Sequence, residues 1–317
     1  MVRRRGRSGM MGFLDEMVEY YFNIQDMDYM PIPDEIKEKL DDTADKHGIE
    51  LFREGTNRSI YKEGGYVYKL CHKYLAVEDN IREHENTLYA EEERADDVID
   101  RLALSDNFYR GCEYILEQEY ITPLHELEEI VPESGQPEAE AILTWLVETA
   151  SDEYGELISI MEDYFVIADV SPKSVFNFGV KTDRNNTNRL AILDYGYFVP
   201  KRGELLCPEC RDGILKYSLI SLRNGNNLNQ IIKDVKSTQT DNYVCTNSSC
   251  YHYETGIPSP EVVKMFEAGE IETVESRDMG DRRSQRAPKS SRSRGRRTSR
   301  RTGGRLEQRE DRSGFYK

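Results

Sequence analysis

Two close pairs of cysteines constrain the fold of this chain more than any other feature. Two residues separate Cys207 from Cys210, and four residues separate Cys245 from Cys250. The N-terminal residues lack the apolar segment of a secretory signal, so paired cysteines indicate metal ligands before disulfides. Four thiolates match the tetrahedral coordination of Zn²⁺, and each pair fits a β-hairpin knuckle. The spacing therefore predicts a structural zinc ribbon over residues 203–258.

The other cysteines and a nearby histidine have separate interpretations. The two pairs could instead have a redox role, and His252 could replace one cysteine as a ligand, although four thiolates are the preferred set. The 34 residues between the pairs predict an insertion with a helix around 228–235. Cys71 and Cys112 stand alone inside predicted strands and are expected to be small buried side chains.

The formal net charge of −16 hides a strong division along the chain. Residues 282–317 contain 14 Lys/Arg and 3 Asp/Glu, a local charge of +11, whereas residues 1–281 contain 29 and 56, a local charge of −27. The acidic body is expected to repel nucleic acid from most of its surface. The Arg/Ser/Gly-rich segment 281–317 predicts a disordered tail that binds nucleic acid through its phosphates, or else a solubilising or protein-docking tail.

The apolar segments of the chain are too short to cross a membrane. No run approaches the roughly 18 apolar residues that a membrane helix needs, so we expect no membrane contact and a cytoplasmic location. Within residues 1–49, the first 11 are expected to be disordered and two helices follow, the second from Pro33 to Gly48. Residues 259–280 predict a short helix and a linker.

The segment 50–202 alternates predicted strands and helices. Three strands with a tight turn at Gly64-Gly65 come first, followed by a charged helix over 78–101 and two more strands. A helical region over 136–164 precedes two short strands joined by a polar hairpin. Such a mixed order predicts an α+β fold with its own hydrophobic core.

Three short stretches in this segment combine apolar strands with charged residues. Lys69 lies in the strand YVYKL, Asp169 in ADVSPKSVFNFGV, and Asp194 at the strand end AILDYG. In this order, the stretches resemble the lysine strand, the catalytic loop and the D-F-G turn of the protein-kinase family. The resemblance covers about half of the chain, residues 50–200, and extends to reduced kinase-like proteins that bacteriophages encode.

This resemblance implies a two-lobed kinase-like domain over 50–202 with a reduced C-terminal lobe. The first ribbon cysteine follows Gly196 by only eleven residues, where the family continues with an activation loop and substrate-binding helices. We therefore expect the kinase-like domain to be followed by a small zinc ribbon and a disordered tail.

The resemblance also implies ATP and Mg²⁺ as cofactors and a role for each charged residue. Lys69 would hold the α- and β-phosphates, and Glu85 would pair with Lys69, with Glu83 as the alternative partner. Asp169 would orient the attacking hydroxyl or accept its proton. Asp194 would bind Mg²⁺.

Other positions match the family pattern less fully. Only Gly55 remains of the glycine-rich nucleotide loop, where Arg58 is expected to supply a phosphate contact. Ser174 stands where the family has a metal-binding asparagine, and Asn177 is the alternative ligand. Ile and Ala replace the His and Arg of the catalytic loop. The adenine-binding hinge would consist of Glu119, Tyr120 and Ile121, with Gln118 as the gatekeeper.

Two functions are implied by these matches. The first is Mg-ATP-dependent phosphoryl transfer to a hydroxyl of an unidentified protein substrate. The second is a catalytically inactive pseudokinase scaffold that binds protein or nucleic acid through the ribbon and the basic tail. A bacteriophage origin would place the protein in the host cytoplasm or in the virion.

Overall fold

The computed structural model of this protein describes residues 9–25, 33–73, 76–127, 130, 138–170, 172–218 and 242–275. The predicted basic tail at 281–317 and the predicted helix around 228–235 lie outside the described residues. Helix is present from Gly9 onward, so it starts within the segment 1–11 that was expected to be disordered.

A five-stranded antiparallel sheet forms the first half of the fold. Its strands are β1 (Arg53–Glu54), β2 (Arg58–Glu63), β3 (Tyr66–Cys71), β4 (Ser105–Phe108) and β5 (Ile115–Glu119). They are ordered β1-β2-β3-β5-β4, and the turn between β2 and β3 contains Gly64 with a φ of +62°. Glycine adopts a positive φ readily because it has no Cβ. The predicted tight turn is confirmed.

Two N-terminal helices pack against this sheet. They are α1 (Gly9–Gln25) and α2 (Pro33–His47). The rings of Phe13 and Tyr61 lie 4.7 Å apart, and the Tyr21 hydroxyl donates a hydrogen bond of 2.6 Å to the backbone oxygen of Cys71. All four side chains are buried in one hydrophobic cluster, so the helices and the sheet share a core.

The helix that follows the third strand buries an unusual row of polar side chains. It is α3 (Ala76–Glu92), and the short α4 (Asp96–Ile99) comes after it. Asn80, Glu83 and Thr87 are all buried, and their spacing of three and four residues puts them on one side of the helix. Buried polar groups need hydrogen-bond partners, so this side of α3 must face other polar groups.

The second half of the fold contains two helices and two smaller sheets. Its elements are β6 (Thr122–Pro123), α5 (Glu138–Glu148), α6 (Ser151–Tyr164), β7 (Phe165–Val166), a 3₁₀ helix (Pro172–Asn177), β8 (Phe178–Thr182), β9 (Asn188–Ile192) and β10 (Val199–Pro200). Strands β6, β8 and β9 form one antiparallel sheet, and β7 pairs with β10. β8 and β9 are the predicted hairpin, and Asp194 follows it by two residues.

The cysteine-bearing region forms a four-stranded antiparallel sheet with two short helices. The elements are β11 (Leu205–Leu206), β12 (Ile214–Ser218), β13 (Asn242–Cys245), α7 (Tyr251–Thr255), β14 (Ile257–Pro258) and α8 (Ser259–Glu267). The strands lie in the order β11-β12-β13-β14. Leu215, Tyr243 and Val262 are buried in the same hydrophobic cluster as Phe165. This region and the second half therefore share one core.

The described residues form a mixed α+β fold with several antiparallel sheets, and the predicted α+β class is confirmed. The two-lobed arrangement of the kinase family stays a prediction. Within the described ranges, no helix is both long enough and apolar enough to span a membrane.

Candidate functional sites

The four paired cysteines come together at one point. Their sulfur atoms all lie within 4.8 Å of one another, with Cys207 Sγ 3.7 Å from Cys250 Sγ and Cys210 Sγ 3.6 Å from Cys245 Sγ. A tetrahedral zinc site with Zn–S bonds of about 2.3 Å requires sulfur atoms about 3.8 Å apart. The arrangement therefore fits a metal such as Zn²⁺, and the predicted clustering is confirmed. No histidine joins the cluster among the described residues, so His252 is not needed as a ligand.

Backbone N–H groups donate hydrogen bonds to the sulfur atoms of two of these cysteines. Gly213 N–H donates to Cys210 Sγ at 3.3 Å, and Asn247 N–H donates to Cys245 Sγ at 3.4 Å. Backbone hydrogen bonds from Asp212 and Gly213 lower the pKa of Cys210 to about 6, whereas burial raises the pKa of Cys207 and of Cys245. A Cβ on Gly213 would lie 2.2 Å from Cys245 Sγ, so only glycine fits at this position.

One tyrosine connects the cysteine region to the loop that contains Asp169. The Tyr243 hydroxyl accepts a hydrogen bond of 2.8 Å from Ile167 N–H and donates one of 3.3 Å to the Ile167 oxygen. Tyr243 is fully buried and precedes Cys245 by two residues, and Ile167 precedes Asp169 by two residues. The cysteine-bearing strand β13 and the segment that leads into Asp169 are therefore in direct contact.

We expect Tyr243→Phe to destabilise the protein by about 1–3 kcal/mol, because the buried Ile167 N–H loses its partner. Denaturant titration measures the free energy of unfolding, and the m-value should be the same for the parent and the variant. Tyr251→Phe is the matched control, since Tyr251 is 71% exposed, and it should change stability by less than about 0.5 kcal/mol. Equal effects of the two substitutions would show that the contact with Ile167 does not hold the loop.

A buried ion pair joins β3 to α3. Lys69 Nζ lies 2.6 Å from Glu83 Oε2 and donates a hydrogen bond of 2.8 Å to the Leu193 oxygen. Glu85, in contrast, is exposed. The prediction that Glu85 pairs with Lys69 was therefore wrong, and Glu83, the alternative, is the partner. Glu83 belongs to the buried polar row on α3, one helical turn after Asn80, whereas Glu85 lies on the exposed side of the same helix.

Arg58 extends this ion pair into a network. Its Nη2 lies 2.7 Å from Asp194 Oδ2, and its Nη1 lies 2.5 Å from Glu83 Oε1 and 3.1 Å from Asn80 Oδ1. The Arg58 side chain is 7% exposed, whereas that of Asp194 is 37% exposed. The sequence predicted Arg58 as a phosphate contact in a loop. Instead, it begins β2 and points inward to two carboxylates.

The charges in this network shift one another's ionisation. Burial alone would raise the pKa of Asp194, but Arg58 and then Lys69 outweigh it and hold this pKa well below its usual range. Burial lowers the pKa of Lys69 and raises the pKa of Glu83, and the charge of each opposes the shift of the other. Asp194 is consequently an ionised carboxylate at neutral pH.

The Asp169 loop is held in a left-handed backbone conformation. Asp169 has a φ of +60°, a region that non-glycine residues rarely adopt and that often marks functional sites. Ser174 Oγ donates to Asp169 Oδ1, and Asn177 Nδ2 donates to Asp169 Oδ2 at 3.2 Å and to its backbone oxygen at 3.1 Å. Both residues that the sequence proposed as nucleotide or metal ligands are therefore bonded to Asp169.

A cleft opens beside the charge network. Its volume is about 650 Å³ when the open space at its entrance is included. Lys69, Asn177 and Asp194 line it. The predicted hinge residues Glu119, Tyr120 and Ile121 and the predicted gatekeeper Gln118 also line it. Gly55 lies in an exposed turn outside the lining, where its N–H donates to the Arg58 oxygen at 2.8 Å.

The gatekeeper position is tied to the charge network. Gln118 Nε2 donates a hydrogen bond of 3.1 Å to Glu83 Oε2 and one of 2.9 Å to the Ala103 oxygen. Tyr195 follows Asp194 in the sequence, and its hydroxyl donates a hydrogen bond of 2.7 Å to the same Ala103 oxygen. These contacts fix the back of the cleft around Glu83.

Sequence reasoning missed the aromatic and cationic residues at the other wall of the cleft. The Arg53 guanidinium lies 3.9 Å from the centre of the Phe176 ring, which is a cation–π distance. His125 contacts both residues, at 3.2 Å from Arg53 Nη1 and with its ring 5.9 Å from that of Phe176. These residues are far apart in sequence, so no local pattern could have grouped them.

No protein-family model matches this sequence, and no curated protein matches it significantly. The two candidate sites are therefore defined by their own geometry. One is a cysteine cluster that fits a structural metal, and the other is a cleft with a buried charge network at its back.

Proposed function

We propose that this protein binds ATP in the charged cleft and transfers its γ-phosphoryl group to a hydroxyl, in the manner of protein kinases. The observation that carries the proposal is the buried Lys69–Glu83 ion pair beside Asp194. Burying ionised groups is costly, and paired ionised groups in a cleft often indicate a functional site. A kinase-like site uses such a pair to fix the lysine that holds the phosphates.

The chemistry assigns a role to each residue. The apolar part of the cleft would hold the adenine against the backbone of Glu119 and Ile121, and Lys69 would hold the phosphates. The Asp169 carboxylate, fixed by Ser174 and Asn177, would accept the proton of the attacking hydroxyl. The new bond joins the hydroxyl oxygen to the γ-phosphorus, the γ-phosphorus bond to the bridging oxygen breaks, and ADP leaves.

The residues around Asp194 do not fit a Mg²⁺ ion as they are arranged. Mg²⁺ requires several oxygen ligands in octahedral geometry. Asp194 Oδ2 accepts a hydrogen bond of 2.7 Å from Arg58, so a divalent cation on this carboxylate would lie close to a fixed guanidinium charge. We therefore derive no step through Mg²⁺.

The same contact favours a second candidate function, a pseudokinase scaffold. In this role the cleft would bind nucleotide without transferring phosphate, because Arg58 occupies the carboxylate that kinases use for metal. The cysteine cluster would then support a surface for a protein partner. Nucleic-acid binding by the basic segment 281–317 stays a prediction, since that segment lies outside the described residues.

We expect Lys69→Ala to weaken ATP binding at least about tenfold, because a charge-assisted contact is lost. Asp169→Asn should leave ATP binding unchanged but lower any transfer rate by about 10²–10⁴. Calorimetric titration with ATP and a γ-phosphate transfer assay provide the two measurements. Exposed matched controls, Lys264→Ala and Asp163→Asn, should have no effect on either.

ATP binding and phosphoryl transfer by the parent protein distinguish the two proposed functions. Binding with transfer supports the kinase function, and binding without transfer supports the pseudokinase scaffold. A parent protein that binds no ATP would contradict both nucleotide functions.

A further inference from the structure

Arg58 places a permanent positive charge beside Asp194, a residue that lines the cleft. A guanidinium stays protonated at all physiological pH values. Its two terminal nitrogens contact oxygens of three residues, Asn80, Glu83 and Asp194. The charge is therefore a fixed part of the site rather than a mobile surface group.

The position of this guanidinium does not depend on Asp194 alone. Arg58 begins β2, where its backbone is paired with Cys71 on β3, and its Nη1 is held by Glu83 and Asn80. Asn80 is fixed in turn, since its Nδ2 donates to the Glu113 oxygen at 3.0 Å and to Cys71 Sγ at 3.2 Å. These contacts hold the guanidinium in place, with Nη2 2.7 Å from Asp194 Oδ2.

The guanidinium neutralises Asp194 from behind the wall of the cleft. Asp194 lines the cleft, whereas Arg58, whose side chain is 7% exposed, lies outside the lining. Without Arg58, the Asp194 carboxylate would repel a phosphate group bound beside Lys69. A divalent cation on Asp194 would meet repulsion from this fixed charge at close range.

We propose that Arg58 replaces the divalent cation beside Asp194, so that ATP binds in this cleft without divalent metal. The inference rests on the proposed nucleotide function and specifies how that site offsets the charge of Asp194. The positive charges of Arg58 and Lys69 equal the negative charges of Asp194 and Glu83, so Asp194 needs no metal ion to offset its charge beside the nucleotide.

The parent protein provides the direct test. ATP is titrated into the full-length chain in buffer freed of divalent metal by a chelating resin, and again with added Mg²⁺. A soluble chelator is avoided because it could strip a metal from the cysteine cluster, and zinc content is checked before and after. We expect the two dissociation constants to agree within about threefold, since no coupling between metal and nucleotide is present.

Variants then assign the effect to Arg58. Arg58→Gln should weaken metal-free ATP binding at least about tenfold, and added Mg²⁺ should restore part of it because Asp194 is freed. Arg58→Lys keeps the charge without the fork and should be intermediate. Arg202→Gln, at a position 71% exposed, is the matched control and should bind as the parent does.

Each outcome has a defined meaning. If Mg²⁺ tightens ATP binding to the parent more than about tenfold, the proposed role of Arg58 is wrong. The nucleotide function would still stand. Absence of ATP binding in both buffers overturns the nucleotide function itself. If Arg58→Gln does not fold, the comparison of buffers with the parent still decides the question.

Discussion

The double variant Cys207→Ser/Cys210→Ser is expected to lose its zinc and to unfold the cysteine-bearing region. Two of the four sulfur ligands would be removed from a cluster whose atoms lie within 4.8 Å of one another. Structural zinc contributes about 10–16 kcal/mol of apparent binding free energy, which becomes folding free energy in small metal domains. The outer strands β11 and β14 have only two residues each, and the central strands β12 and β13 pair over only four, so a metal that joins both cysteine pairs would add a large share of the region's stability.

Elemental analysis and denaturant unfolding provide the readout. The parent should contain about one Zn²⁺ per chain, and the double variant close to none. Because Tyr243 contacts Ile167, loss of the metal should also lower the stability of the second half. Cys112→Ser is the matched control, since Cys112 is buried outside the cluster, and it should retain the zinc. A metal-free parent that is as stable as the zinc-loaded protein would exclude a structural metal.

The second large effect is expected from Glu83→Ala. This substitution leaves the buried cations Arg58 and Lys69 without their shared carboxylate. Removing one partner of a buried ion pair costs about 3–5 kcal/mol, because an uncompensated charge stays in the interior. Denaturant unfolding should show this loss as a lower midpoint, and ATP binding should weaken as Lys69 loses its support.

Glu85→Ala is the matched control for this prediction. Glu85 lies on the same helix but is exposed, so its removal should change stability by less than about 0.5 kcal/mol. A double-mutant cycle adds Lys69→Met to Glu83→Ala. The double variant should be destabilised less than the sum of the single variants, because no lone buried charge remains on Lys69. Equal effects of Glu83→Ala and Glu85→Ala would refute the network.

The sequence predicted most reliably what depends on short spacing. The turn at Gly64 and the hairpin before Asp194 were foreseeable from residues a few positions apart. The cysteine pairs were recognisable for the same reason, since two thiols separated by a few residues can face one metal. The α+β class followed from the alternation of strand and helix patterns.

The choice of glutamate on α3 was harder to predict. Glu83 and Glu85 are two positions apart in a helix rich in acidic residues, so composition does not separate them. The buried face is decided by where α3 packs against the sheet. Asn80 and Thr87 mark that face, but hydrophobic periodicity cannot find it because the buried row is polar.

By itself, the sequence determined the two close cysteine pairs, the α+β class, the position of Lys69 in a strand and that of Asp194 just after one, because these follow from local spacing and residue chemistry. Only the tertiary structure decided that Arg58 lies against Asp194, 136 residues away, and that Glu83 joins them. Contacts over such separations depend on how a strand, a helix and a strand end pack together. The low polarity of the interior then makes these charges strongly dependent on one another.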